Sequence, residues 1–412
     1  MRILFLTTYF KPDISSNSML MSQLAEELVK LGNKVTVVTS MPHYDTNSIW
    51  PEYRWKLWKK AKYPGMNVTH VYLYVPSQKS SLVGRLFNYL SFNVLSTIFT
   101  VFTRKHHVLF VPSPPLTNGV GAFIASRLRR TPFVYNVQDI YPDIAVRLGV
   151  LKNERLIKIF EKMEKFVYRK AAAVSVISDG FRRNLLRKGV PDQKIAVIPN
   201  YVDAELFRPL PRQNAFSTEQ GLNDKFVLLF AGNIGLSQGL ENLLEAASIL
   251  REYPDIMFLI VGNGASKAEL ERMAEEMKLT NVRFLPYQPI ETVPEMYASC
   301  DAGLVTLRKN ITSESVPSKA FSVLGAGRAL ITSVDRASET WDMVEGAQCG
   351  VAIEPEDPQA LADAVLSLYN DREKTIQMGK NGRKHIEEHY TKQIVARQYQ
   401  ELFANLVARK GG

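Results

Sequence analysis

The chain has 412 residues, 46% of them apolar, and a net charge of +10, which excludes a disordered chain and makes two folded domains the natural expectation. Its only cysteines, Cys300 and Cys349, offer neither a disulfide framework nor a zinc pattern, as suits a reducing compartment. Charge is uneven: residues 1–205 hold 29 Lys+Arg against 14 Asp+Glu, a net of +15, and residues 206–412 a net of −5, so the N-terminal half is expected to face something anionic.

Ile3 to Phe10 is short, runs into Lys11-Pro-Asp without a small-residue cleavage site, and reads as a strand rather than a secretion signal. Ser18 to Leu31 has Met21, Leu24, Ala25, Leu28 and Leu31 on one face and Gly32 after its end, the pattern of a helix; Lys34 to Thr39 is the second strand. Strand–helix–strand alternation announces a parallel sheet with covering helices. Met41 to Pro64 mixes Trp50, Trp55 and Trp58 with Arg54, Lys56, Lys59, Lys60 and Lys62 and predicts a long functional loop or short hairpin. Val68 to Val75 is a strand. Leu86 to Thr103 is uncharged between Arg85 and Arg104-Lys105, yet too polar for a spanning helix; an interfacial helix and one packed inside the domain are both open. Strands follow at 107–111, 132–136, 173–177 and 195–198, and helices at 119–129, 155–171 and 181–188. Asn200 to Ser217, with Pro209 and Pro211, reads as a linker.

A second alternating series begins at Lys225. Its strands are 225–231, 257–261, 282–285, 302–305, 330–334 and 350–353, and its helices 240–252, 267–277, 291–299 and 359–370, before a final helical stretch at 385–408. The expected fold is α/β: two Rossmann-like parallel-sheet domains, residues 1–205 and 206–384, facing a cleft, with a C-terminal helix at about 385–412 packing back on the first. Ligands of such sheets bind at the carboxyl ends of the strands.

Three stretches carry chemistry. Glu314 to Gly327 reads as a loop, then a helix with Pro317 in its first turn and Ser315 as cap, ended by Gly325 and Gly327. A helix start attracts anions, Lys319 adds a full positive charge there, and Glu314 upstream suits hydroxyl groups, a combination fitted to a nucleotide sugar. Gly232-Asn233-Ile-Gly235 and Gly262-Asn263-Gly264 are glycine turns at strand ends, where backbone N–H groups can approach a phosphate. Each alone is also what an ordinary βα turn uses.

Taken with Val137-Gln-Asp139-Ile-Tyr-Pro142, Ile198-Pro-Asn200-Tyr-Val-Asp203 and Val282 to Gln288, these stretches closely resemble a retaining glycosyltransferase of family 4, with the GT-B fold, over nearly the whole chain. The wording around Asp139 and Pro317 resembles the branch that adds N-acetyl-fucosamine and similar sugars in bacterial O-antigen and capsule assembly. The resemblance implies that Glu314 contacts the donor sugar. It implies that the Gly232 turn and the helix start at Pro317 and Ser318, with Lys319, hold the diphosphate. It places Gly262, Asn263, Tyr287 and Gln288 around base and ribose, and Asp139 beside the reacting sugar. The acceptor-side loop after the first strand, glycine-rich in the family, is Ser15-Ser16-Asn17 here. The family's second glutamate is Ser322, and the usual cations of the first turn are Asn233 and Gln238.

The implied reaction moves a sugar from a UDP-linked donor to a polyprenyl-diphosphate-linked saccharide, without metal or cofactor, on a cytoplasmic protein peripheral to the inner face of an anionic membrane. No Asp-x-Asp pair stands at a strand end, and no nucleic-acid motif accompanies the basic half. A catalytically inactive scaffold and a sugar-nucleotide epimerase are the alternatives.

Overall fold

The computed structural model describes residues 1–76, 82–147, 149, 151–311 and 317–411. They form two compact units, Met1–Asn200 with Lys392–Gly412, and Tyr201–Thr391.

The N-terminal unit contains β1 (Arg2–Leu6), β2 (Lys34–Ser40), β3 (Trp58–Tyr63), β4 (Met66–Val71), β5 (Val108–Pro112), β6 (Phe133–Val137), β7 (Ala173–Val176) and β8 (Ile195–Val197). They make one sheet in the order β3-β4-β2-β1-β5-β6-β7-β8. Neighbours are parallel except β3, which pairs antiparallel with β4. The central strands are apolar and buried on both faces, as covered parallel strands must be. Sequence direction reverses at β1, between β2 and β5, which opens a crevice at the carboxyl ends of those strands.

The Trp-rich stretch after Met41 resolves into a short helical turn, Pro51–Tyr53, and the edge strand β3, so the hairpin reading holds for its second half. β4 stops at Val71, short of the expected Val75, because its partner β2 runs out where Ser40 pairs with Val71. The helix expected at 86–104 spans Leu82–Phe102. Among the described residues no helix is long and apolar enough to cross a membrane.

The C-terminal unit contains β9 (Phe226–Asn233), β10 (Ile256–Asn263), β11 (Val282–Leu285), β12 (Ala302–Thr306), β13 (Ala329–Ser333) and β14 (Gly350–Ile353), all parallel, in the order β11-β10-β9-β12-β13-β14. Its crevice lies where β9 separates β10 from β12. The linker holds a short helix, Ala215–Glu219, started by a capping box between Asn214 and Ser217. A helix at Glu339–Ala347, capped by Ser338, has too few turns for its periodicity to stand out in the sequence.

The expected single stretch at 385–408 is two helices. Arg372–His389 ends before Tyr390 and belongs to the C-terminal unit; Lys392–Gly411 belongs to the N-terminal unit. In that unit Tyr399 and Phe403 of the last helix meet Phe110 of β5 edge-on, with ring centres 5.1 and 5.7 Å apart, and this aromatic burial fastens the helix to the sheet.

Candidate active site

In the C-terminal unit, β9 and β10 run in register to their last residues, Gly232 beside Gly262 and Asn233 beside Asn263. The two glycine turns are therefore one feature. Gly262 has φ +148° and a side chain on it would strike the Gly232 carbonyl; Gly232 itself has φ +132°. The ladder continues past the strands: the Ile234 N–H donates to the Asn263 carbonyl at 2.9 Å, and the Ser266 N–H to the Ile234 carbonyl at 3.1 Å. Gly235 lies against the Asn233 side-chain nitrogen. Tyr287 and Gln288 follow β11. The Tyr287 hydroxyl reaches the Asn263 carbonyl at 3.4 Å, and Gln288 folds back on the Pro286 carbonyl at 2.9 Å.

The helix Ser318–Gly325 buries Ala320, Phe321, Val323 and Leu324, which fixes it beside this edge. Pro317 precedes the helix rather than forming its first turn: its ψ of 115° is extended, so the helical turn begins at Ser318. Lys319 leaves that turn and crosses to the β9 end. Its ammonium lies 3.8 Å from the centre of the Phe230 ring, 3.1 Å from the Gln238 side-chain oxygen and 3.4 Å from the Asn233 carbonyl. All three are neutral partners, and among the described residues no carboxylate pairs with it. Burial holds the amine down at about 7. Ser322, one turn further, hydrogen-bonds the buried Tyr297 hydroxyl and so faces the packed side of its helix. Glu314 and Ser315 lie outside the described residues.

In the N-terminal unit, Asp139 follows the end of β6. Its tip is accessible, the protein crowded around its base lifts the carboxyl to about 6, and among the described residues it has no hydrogen-bond or ion-pair partner. Gln138 beside it is held from several sides. It donates to Asn136 at 2.8 Å and accepts from Asn200 at 2.8 Å, while Asn136 donates to Ser175 and to the Tyr399 hydroxyl at 3.2 and 3.0 Å. Ser15 caps the helix Ser16–Lys30 by accepting from the Ser18 N–H at 3.0 Å; Ser16 and Asn17 occupy its first turn.

Asp13 and His43, in the loops that follow β1 and β2, escape a reading of the sequence. Asp13 is buried and accepts from the N–H groups of Ile14 and Tyr44 at 3.0 Å; its other oxygen lies 3.7 Å from His43 Nδ1. That nitrogen is 2.8 Å from the Met41 carbonyl, which only accepts, so Nδ1 carries the proton. Neither residue sits in a motif; only the meeting of the loops after two neighbouring strands unites them. Among the described residues no group of His, Cys, Asp and Glu has the arrangement of a metal site.

The crevice of the C-terminal unit thus offers backbone turns without side chains, a helix start and a cation in excess, which is chemistry for a diphosphate. Comparison with known proteins agrees. Over 376 residues the chain is 28% identical to the Escherichia coli K12 protein WcaI, named as a colanic acid biosynthesis glycosyl transferase, covering 89% of this chain and 91% of that one. It is 25% identical over 261 residues to the O-antigen chain mannosyltransferase C of Escherichia coli, covering 63% and 68%. The crystal structure of Anabaena Alr3699/HepE in complex with UDP superposes with a TM-score of 0.75 at 17% identity, covering 98% of this chain and 100% of that one. Residues 20–201 match the 4-like glycosyl transferase domain and residues 212–385 the group 1 glycosyl transferases, so the chain is a GT-B glycosyltransferase of group 1 with a 4-like N-terminal domain.

Proposed function

We propose that this glycosyltransferase moves a sugar from a UDP-linked donor to a lipid-linked saccharide in surface polysaccharide assembly, with retention at the anomeric carbon. The observation that carries the reading is Lys319, a cation without a carboxylate partner among the described residues, set against Gly232 at the end of β9. The relatives named for colanic acid and O-antigen synthesis support the pathway class, and the UDP complex of the structural neighbour supports the donor class. An N-acetylated deoxy-hexose such as N-acetyl-fucosamine is the donor sugar suggested by the sequence around Asp139 and Pro317.

In this reading the donor diphosphate lies on the Gly232 and Gly262 turns and the start of the Ser318 helix. Gly235, Asn233 and Asn263 line the approach, and Tyr287 and Gln288 flank the base and ribose. The bond between the anomeric carbon and the phosphate oxygen breaks while the acceptor oxygen bonds to the same face of that carbon. The acceptor proton passes to the departing diphosphate oxygen, so no protein base is needed. Lys319, the helix start and the turn N–H groups stabilise the charge that develops on the leaving group, as a metal ion would. Asp139, ionised above about pH 6, orients the sugar and eases positive charge on its ring. Glu314 grips sugar hydroxyls, and Ser15, Ser16 and Asn17 face the acceptor. Ser322, where the family has a ribose-gripping carboxylate, leaves the ribose to other contacts.

Ser322, Asn233 and Gln238 also favour a second reading, a membrane-bound scaffold without catalysis. One experiment separates the two. A thermal-shift panel of UDP, GDP, ADP and their sugars identifies the nucleotide that raises the melting temperature. Incubation with that nucleotide sugar then releases nucleotide slowly from an enzyme and not from a scaffold. No shift with any UDP compound, together with no nucleotide release, defeats the proposal.

A further inference from the structure

The helix Glu154–Lys170 carries Lys162, Lys165 and Arg169 at spacings of three and four, which puts them in one row. Its C-terminus feeds β7, and the segment Lys188–Lys194 feeds β8, so both reach the amino edge of the eight-stranded sheet. Asp139 and Ser15 follow the opposite, carboxyl ends of their strands. Between helix and segment is a cavity of about 590 Å³ lined by Lys162, Lys165, Arg169, Lys188 and Lys194, with Phe166 and Val190 among its apolar walls and no carboxylate in its lining.

The local charge balance is one-sided. Lys188 is already neutralised, at 2.8 Å from both Asp143 and the buried Glu164. The Lys194 ammonium donates to two carbonyls, those of Arg169 and Ala171, each at 2.9 Å, and among the described residues it has no carboxylate partner. Among the described residues Lys162, Lys165 and Arg169 form no ion pair. A solvated basic helix face spreads its charges over a convex surface. Here they converge on a hollow with low-dielectric walls, which focuses their field.

We propose that this hollow binds a phosphate-bearing anion larger than inorganic phosphate. The volume suits a ligand of small-molecule size. Lysines supply point charges and Arg169 a planar fork, the pair of donors that phosphoryl oxygens take. An anionic phospholipid headgroup and a soluble phosphorylated compound share this chemistry. The inference does not rest on the donor reading, since every lining residue belongs to the N-terminal unit.

Calorimetric titration of the full chain tests it, in a Lys319→Ala background that removes diphosphate binding at the proposed donor crevice. The probes are pyrophosphate and monomeric dihexanoyl-phosphatidylglycerol. Lys165→Glu/Arg169→Glu alters the cavity; Arg155→Glu/Lys158→Glu makes the same charge change on the same helix outside it. The first pair is expected to weaken probe binding at least about tenfold and the second less than about twofold, a difference of one to two charge-assisted contacts. Tighter binding of the lipid identifies a headgroup site, and equal or tighter binding of pyrophosphate a soluble ligand. Equal weakening by both pairs, or no binding of either probe at millimolar concentration, overturns the proposal. The milder Lys162→Gln/Lys165→Gln repeats the comparison should the glutamates perturb folding. Retained UDP binding by the cavity variants with Lys319 intact keeps this test separate from that of the donor crevice.

Discussion

The side chain of Lys319 lies against the bare α-carbon of Gly232: a methyl group added there would stand 2.6 Å from Lys319 Cε and 3.2 Å from its ammonium. The glycine therefore makes room for the cation as well as for the turn. Gly232→Ala is expected to push Lys319 aside and lower UDP-sugar affinity by about tenfold or more, the loss of one charge-assisted contact. The left-handed φ of +132° adds about 1–3 kcal/mol of strain, visible as a lower melting temperature. Gly262→Ala presses on the Gly232 backbone instead of a flexible side chain, and should lose more stability than Gly232→Ala. Titration calorimetry and thermal melts check both; unchanged donor affinity in Gly232→Ala would separate Lys319 from the donor.

Lys319 also makes donor binding depend on pH in a set direction. Its free amine sits at about 7, and a bound diphosphate favours the charged form. UDP affinity should be level below pH 7 and fall by up to about tenfold per unit as pH rises beyond it, until the amine of the complex also loses its proton. Stability moves the opposite way. The folded amine lies below its unfolded value, so the unfolded chain binds more protons between these pH values. The cost is fully present below pH 7 and is relieved as pH rises. Lys319→Met should melt higher than the parent at pH 6, with a smaller gain at pH 9, and lose UDP binding at both. Equal gains would show that the amine is already neutral at pH 6.

Much of this crevice was legible in the chain. The strand, the glycine turn and the helix start are local, and each is marked by residues close in sequence. The register of Gly232 with Gly262 was not, because it depends on β9 and β10 pairing across 22 intervening residues. Nor was the reach of Lys319 to Gln238, where the cation absent from the turn is brought in by another helix. Asp13 and His43 were invisible for the same reason. The division of the last helical stretch at Tyr390 also lies outside periodicity: one helix runs to His389 and the next starts at Lys392, and no glycine or proline punctuates the break.

Asp139 is the third test. Its carboxyl at about 6 lies above the unfolded value, so the folded chain holds its proton between about pH 4 and pH 6. Its ionisation lowers stability as pH rises through that window. Asp139→Asn should therefore melt higher than the parent at pH 7.5 and no higher at pH 3.5. If the ionised form orients the sugar, turnover of the parent rises through pH 6. The variant then loses about a hundredfold or more at pH 7.5 and no longer shows that rise, on the scale of a positioned carboxylate. Loss of activity without loss of the pH-dependent limb would assign the limb to another group.

The exposed face of the helix Leu82–Phe102 bears on membrane attachment. Phe87, Val94, Ile98 and Phe102 recur along it at helical spacing, with Phe102 82% and Val94 59% exposed, and Leu90 joins the same stripe. Its inner face is committed to packing, where Phe92 is buried and Phe99 meets Trp58 of the edge strand β3 at 6.2 Å. That strand follows Arg54, the fully exposed Trp55 and Lys56. Water gives such a stripe no stabilisation, whereas a bilayer interface buries the apolar row and meets the cations with lipid phosphates. Val94→Glu/Ile98→Glu removes two of these side chains from the lipid. It should weaken binding to vesicles containing phosphatidylglycerol by about 3 kcal/mol, roughly a hundredfold in partition, at unchanged melting temperature, since both positions already face water. Raising salt should weaken the parent only partly, because screening reaches the cations and not the apolar row. Flotation at low and high salt measures both effects. Failure of the parent to float in either condition would leave the stripe without a membrane role.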